Sequence, residues 1–216
     1  MSFIQQAPDV SGDPVHLFVD WSNLWYAMRE EARRRGDPEL SVRVHIAHLR
    51  DVLAGGRDVE TAVLVANRAI PGPVIDHLRA AFTVEFVEPG RISGREQAGD
   101  ELLQNALYRT ILRRSGASGT VVLATGDGAG WREGRGFCEA LAAAARTGHA
   151  VEVAAFTCSL NEHLAELARH LGAMVPLDPF YDAITFLEGR RTARVPNLAH
   201  RPFAARAHHM TEGRAA

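Results

Sequence analysis

Five short apolar runs rich in β-branched residues, at 15–19, 62–66, 83–87, 120–124 and 151–156, constrain this chain more than any other feature. Each has the length and β-rich composition of a strand rather than of a helix, so each reads as a buried strand. Between them, residues 24–34, 44–53, 74–81, 100–112 and 136–146 carry apolar side chains at helical spacing. Strands that alternate with helices predict right-handed crossovers and a mostly parallel central sheet, hence a three-layer α/β/α sandwich. After the fifth run, 160–171 reads as a further helix, 173–176 as a short strand and 180–186 as a closing segment.

The 216 residues suffice for one domain with a sizeable core, expected over 15–188 after an N-terminal extension at 1–14. From 189 to 216 Arg, Pro, His and Ala dominate without an apolar period, which predicts a flexible or surface-running tail. Scattered in such a tail, His200, His208 and His209 do not read as a metal site. No apolar run approaches the roughly 20 residues of a membrane span. The first residues also lack the basic-then-apolar order of a secretory signal, so the expected location is cytoplasmic, without a membrane partner. Cys138 and Cys158 have neither C-x-x-C nor Cys/His ligand spacing and read as buried free thiols.

The net charge of −2 gives no global electrostatic case for nucleic acid and leaves only a local basic surface to supply one. All 24 basic residues are arginine. A chain without lysine has no Walker-A lysine, no Schiff-base lysine and no kinase strand lysine. Nor does a G-x-G-x-x-G follow the first strand, where the chain reads Asp20-Trp21-Ser22-Asn23. These absences argue against nucleotide-cofactor chemistry.

Ligands of open α/β sheets bind beyond the carboxyl ends of the strands, and acids gather there in this sequence. Asp20 ends the first run, with Ser22 and Asn23 in the turn behind it; the fourth run leads into Thr125-Gly126-Asp127, where the glycine is expected to permit a tight turn. Asp100 precedes the apolar face of a helix and is expected to cap it, with Glu101 adjacent. Taken singly, each aspartate has a plain role as an Asx turn or a cap. Taken together, two or three aspartates and an asparagine form an open oxygen site suited to Mg²⁺ or Mn²⁺. A metal held there activates water and stabilises charge on phosphate, which is the chemistry of phosphodiester hydrolysis. Arg68, following Asn67 after the second strand, and Arg91 and Arg95 after the third, are placed to rim the crevice and hold phosphates. Trp21, Trp25 and Trp131 read first as core side chains and second as stacking surfaces for bases.

Four segments resemble the NYN domains, a branch of the PIN-like nuclease superfamily: Phe18 to Leu24, Arg95 to Leu103, Leu123 to Gly128, and Gly136 to Val153 with Leu160 to Leu164. Their order fits, and together they span residues 15–186. The resemblance implies a PIN-like fold and a Mg²⁺- or Mn²⁺-dependent ribonuclease, an endoribonuclease, acting on single-stranded RNA. It implies Asp20, Asp100 and Asp127 as metal ligands with Asn23 orienting or ligating, and Ser22, Asn67, Arg68, Arg91 and Arg95 on the RNA. Many relatives follow the strand-four aspartate with a second aspartate and an aromatic, whereas Asp127 is followed by Gly128-Ala129-Gly130-Trp131. Glu101, Glu133 and Glu162 are the candidates for a fourth carboxylate, Glu101 first because it adjoins Asp100. The alternative is a catalytically weakened domain that binds RNA or a protein; a homodimer is compatible with either.

Overall fold

In the computed structural model, which describes residues 13–67, 70–87, 97–113, 119–127 and 136–204, strands and helices alternate as the apolar runs require. The order is β1 (Val15–Asp20), α1 (Trp21–Arg35), β2 (Val42–Val44), α2 (Ile46–Ala54), β3 (Val59–Asn67), α3 (Gly72–Ala81), β4 (Thr83–Val87) and α4 (Gln97–Arg113). It continues with β5 (Thr120–Ala124), α5 (Gly136–Arg146), β6 (Ala150–Ala155), α6 (Glu162–Leu171), β7 (Gly172–Pro176), α7 (Tyr181–Ile184) and β8 (Thr185–Leu187). Six strands form a parallel sheet in the order β4-β3-β1-β5-β6-β7, and β2 pairs with β8 in a small antiparallel ribbon.

The central strands are buried on both faces. In β1, Leu17 and Val19 enter one core with side chains of α1, α2, α3 and α7, while Phe18 enters a second core with α4, α5 and α6. This is the three-layer sandwich. It also explains why these strands read as unbroken apolar runs rather than as alternating ones. The chain walks outward from β1 through β3 to β4, then α4 carries it back across the sheet to β5, from which it walks outward the other way. The order therefore reverses between β1 and β5, and ligand crevices of open α/β sheets lie at such a reversal.

Two sequence expectations need correction. Residue 44 belongs to β2 rather than to the following helix, which starts at Ile46 with His45 as its cap. More consequentially, residues 189–204 are not a loose tail. Arg191 bonds Asp37, Asp182 and Thr185, and Arg201 is buried with 3 % of its surface exposed. The Arg201 guanidinium donates from Nε to the Val52 carbonyl at 2.6 Å, and from Nη2 to the Leu53 carbonyl and Glu152 Oε2, each at 2.7 Å. It thereby satisfies carbonyls at the end of α2, where the helix dipole also favours a cation. Arg57 grips the same Glu152 through two bonds of 2.9 and 2.8 Å, and the Phe203 ring lies against both guanidiniums. Gly55, at φ 64°, ends α2 in the left-handed region, and a Cβ there would stand 2.6 Å from the Phe203 ring. No apolar period announces this strap because single polar side chains anchor it. Residues 1–12 and 205–216 lie outside the described residues, and His200 is exposed.

Candidate active site

Asp20 is the last residue of β1 and the N-cap of α1, so one residue ends a strand and starts a helix. Its Oδ1 accepts the Asn23 backbone N–H at 3.1 Å, the usual capping bond. Its Oδ2 accepts the Thr125 hydroxyl at 3.1 Å, across the β1–β5 boundary. Each carboxylate oxygen is thus aimed by a donor from a different element, one on α1 and one after β5. Asn23, three residues into the capped turn, sends its Oδ1 to the Gly126 N–H at 2.7 Å. Two side chains of the β1–α1 corner therefore hold the turn that follows β5.

Thr125 links the two aspartates. Its hydroxyl donates to Asp20 and accepts the Asp127 N–H at 3.2 Å, which uses the one donor and one of the two lone pairs of the group. Gly126 also ties this turn to the next crossover, its carbonyl accepting the Asn161 N–H at 2.8 Å. Asn161 in turn caps α6 by accepting the N–H groups of His163 and Leu164. The glycine is required by space rather than by a left-handed backbone. Gly126 is not among the residues with positive φ, and a Cβ on it would stand 2.5 Å from the Ser159 carbonyl oxygen.

Asp100 is not a cap. The helix α4 begins three residues earlier, at Gln97, leaving Asp100 half-buried in its first turn, where its charge complements the helix dipole. That turn sits against the carboxyl ends of β3 and β4, since a Cβ on Gly99 would lie 3.6 Å from Val87 and 3.8 Å from Val65. Val65 pairs with Asp20 in the β1–β3 register, so Asp100 and Asp20 occupy the same edge of the sheet. Glu101 is exposed beside it, and Glu162 is exposed in the first turn of α6. Ser22 is buried in α1 and Asn67 is half-buried at the end of β3. Arg68, Arg91, Arg95, Trp131 and Glu133 lie outside the described residues. Trp21 is buried in the core and stacks on half-buried Trp25, with ring centroids 6.0 Å apart.

Among the described residues, no three His, Cys, Asp or Glu side chains stand close enough to form a metal cage. The three expected aspartates are thus brought to one sheet edge but not into one closed ligand set. Their chemistry still suits a hard divalent ion, because Mg²⁺ typically takes one or two carboxylates and fills its shell with water and substrate phosphate. Sequence reasoning missed the roles of Thr125, Ser159 and Asn161. Only Asn161 left a signal, as an amide side chain directly before an apolar helical period.

Comparison with known proteins adds to the fold alone. No family model matches the chain, and no curated protein does. The crystal structure of a protein of unknown function from Vibrio parahaemolyticus is similar to it, at 17 % identity and a TM-score of 0.53, covering 76 % of this chain and 93 % of that one.

Proposed function

We propose that the chain is a divalent-metal-dependent ribonuclease of NYN type, with Asp20, Asn23, Asp100 and Asp127 at its centre. The observation that carries this reading is the Thr125 hydroxyl joining Asp20 to the Asp127 backbone at the point where the sheet order reverses. Asp20 and Asp127 would hold Mg²⁺ or Mn²⁺, with Asp100 and Glu101 at the same edge. When bound, such an ion supplies charge stabilisation at the scissile phosphate and lowers the pKa of water. The chain's own part is orientation. The capping bond and Thr125 fix the Asp20 carboxylate before substrate arrives, and Asn23 fixes the Gly126 turn, so little reorganisation accompanies reaction. Asn67, Ser22, Arg68, Arg91 and Arg95 are proposed to position the RNA strand.

The test is cleavage of a labelled single-stranded RNA in Mn²⁺ or Mg²⁺ by wild type and by Asp127→Asn prepared identically. Metal-dependent cleavage by wild type that the variant lacks is expected; equal cleavage by both sinks the assignment. A second reading, a binding module without turnover, is favoured by Gly128 standing where relatives carry a further aspartate. Tight strand binding by wild type with no cleavage in either metal would select it.

A further inference from the structure

Four large apolar side chains are exposed among the described residues: Tyr26, Leu40, Leu112 and Val195. Three of them lie away from the carboxyl edge of the sheet. Leu40 follows the far end of α1, whose 15 residues span about 22 Å. Leu112 is in the last turn of α4, which begins at the carboxyl edge, and Val195 lines a pocket with Arg57, Asp58 and Val59 at the start of β3. Tyr26 alone stands near the candidate site, and it alone is aromatic.

Its position on α1 is specific. Tyr26 is three residues after Asn23 and four after Ser22, so it occupies the same helix face with its Cβ about 5–6 Å from that of Asn23. Asn23 is bonded to the Gly126 turn, so Tyr26 stands one helical turn from the Asp20–Thr125–Asp127 linkage. Trp21 and Trp25 point elsewhere. Trp21 is 5 % exposed within the core and Trp25 packs on it, whereas Tyr26 is 65 % exposed. Of the three aromatics that open α1, Tyr26 is the one whose ring is mostly exposed.

We propose that Tyr26 is the stacking platform for an unpaired base of the strand whose phosphate lies over Asp20 and Asp127. This rests on the ribonuclease reading and narrows its substrate to nucleic acid with an unstacked base beside the scissile phosphate. Duplex offers no such face without first paying to unstack a base.

Cleavage in Mn²⁺ by wild type, Tyr26→Phe and Tyr26→Ala tests it, using a single-stranded RNA and the same strand with one abasic position at the cut. Strand affinity is read in parallel by fluorescence anisotropy in the Asp127→Asn background. Tyr26→Ala is expected to raise KM and weaken binding by about 5-fold to about 150-fold, the range of one base–aromatic stack, with kcat kept. Tyr26→Phe keeps the ring and should behave as wild type, and the abasic strand should not distinguish wild type from Tyr26→Ala. An unchanged KM in a chain that cleaves overturns the platform and leaves the nuclease reading standing. A loss of equal size on the abasic strand also overturns it, because the ring then acts through structure rather than on a base. A chain that neither binds nor cleaves the strand overturns both.

Discussion

Glu152 and Asp20 are acids of the same sheet that the fold treats in opposite ways. The register Leu17–Val122–Glu152 puts Asp20 two strands away and three residues, about 10 Å, nearer the carboxyl edge. Glu152 is wholly buried, held by Arg57 and Arg201, with the Ala204 N–H on its remaining side. Burial alone would raise its pKa, but the two guanidiniums outweigh that and hold it below the ordinary carboxylate value. Asp20 is half-buried at the carboxyl end of β1, aimed by a backbone N–H and a hydroxyl. Charge compensation at Glu152 secures the fold; the bonds to Asp20 hold a carboxylate at the sheet edge, where the proposed chemistry needs it. The one is expected to govern stability and the other the proposed reaction.

That division breaks if substitutions at the two places have similar effects. Arg201→Ala leaves a buried charge with one partner fewer and is expected to cost about 3–5 kcal/mol, read as a lower denaturant midpoint. Asp20→Asn should abolish cleavage yet leave the midpoint nearly unchanged, because asparagine caps helices as well as aspartate. A large stability loss in Asp20→Asn would show the acid to be structural.

A finer division separates Thr125 from the acids it links. Thr125→Val removes the hydroxyl but keeps the shape, and is expected to lower metal affinity or cleavage about 10- to 100-fold, as loss of an orienting partner usually does. Thr125→Ser should restore it. Titration with Mn²⁺, followed by quenching of tryptophan fluorescence, reads the affinity directly. A Val variant with wild-type affinity and rate would remove Thr125 from the site.

The smallest expected effect concerns pH. His149 is buried, and His45 caps α2 while stacking on His48 at 3.7 Å. Burial lowers the pKa of both, and the neighbouring His48 lowers that of His45 further. The unfolded chain then binds more protons, so this part of the stability is complete above about pH 6.5 and declines as pH falls from there through the depressed folded values. Glu152 keeps its contribution until pH falls below the ordinary carboxylate range and through its own lowered pKa. Melting temperatures should therefore fall modestly between pH 7.5 and 5.5, and His45→Asn, a neutral cap, should flatten the slope. A flat profile in wild type contradicts the assignment.

The layers were legible because strands buried on both faces leave continuous apolar runs, and the acids at their ends followed from that placement. Other features depend on partners distant in sequence. Gly126 answers to Ser159, 33 residues later, and nothing local distinguishes it from a turn glycine. Arg201 is one arginine among 24, and its burial depends on Glu152 and on α2 carbonyls about 150 residues before it. Asp100 was misplaced by three residues because α4 starts before its apolar face does.

Synthesis gives the strap a further meaning. A ribosome delivers β1 through β7 before residue 201 emerges, so the growing chain holds Glu152 with Arg57 alone and the end of α2 without its guanidinium. A product cut short anywhere before Arg201 carries that defect permanently. Proteases that sample opened chains are therefore expected to cleave a product lacking Arg201 sooner than one that carries it.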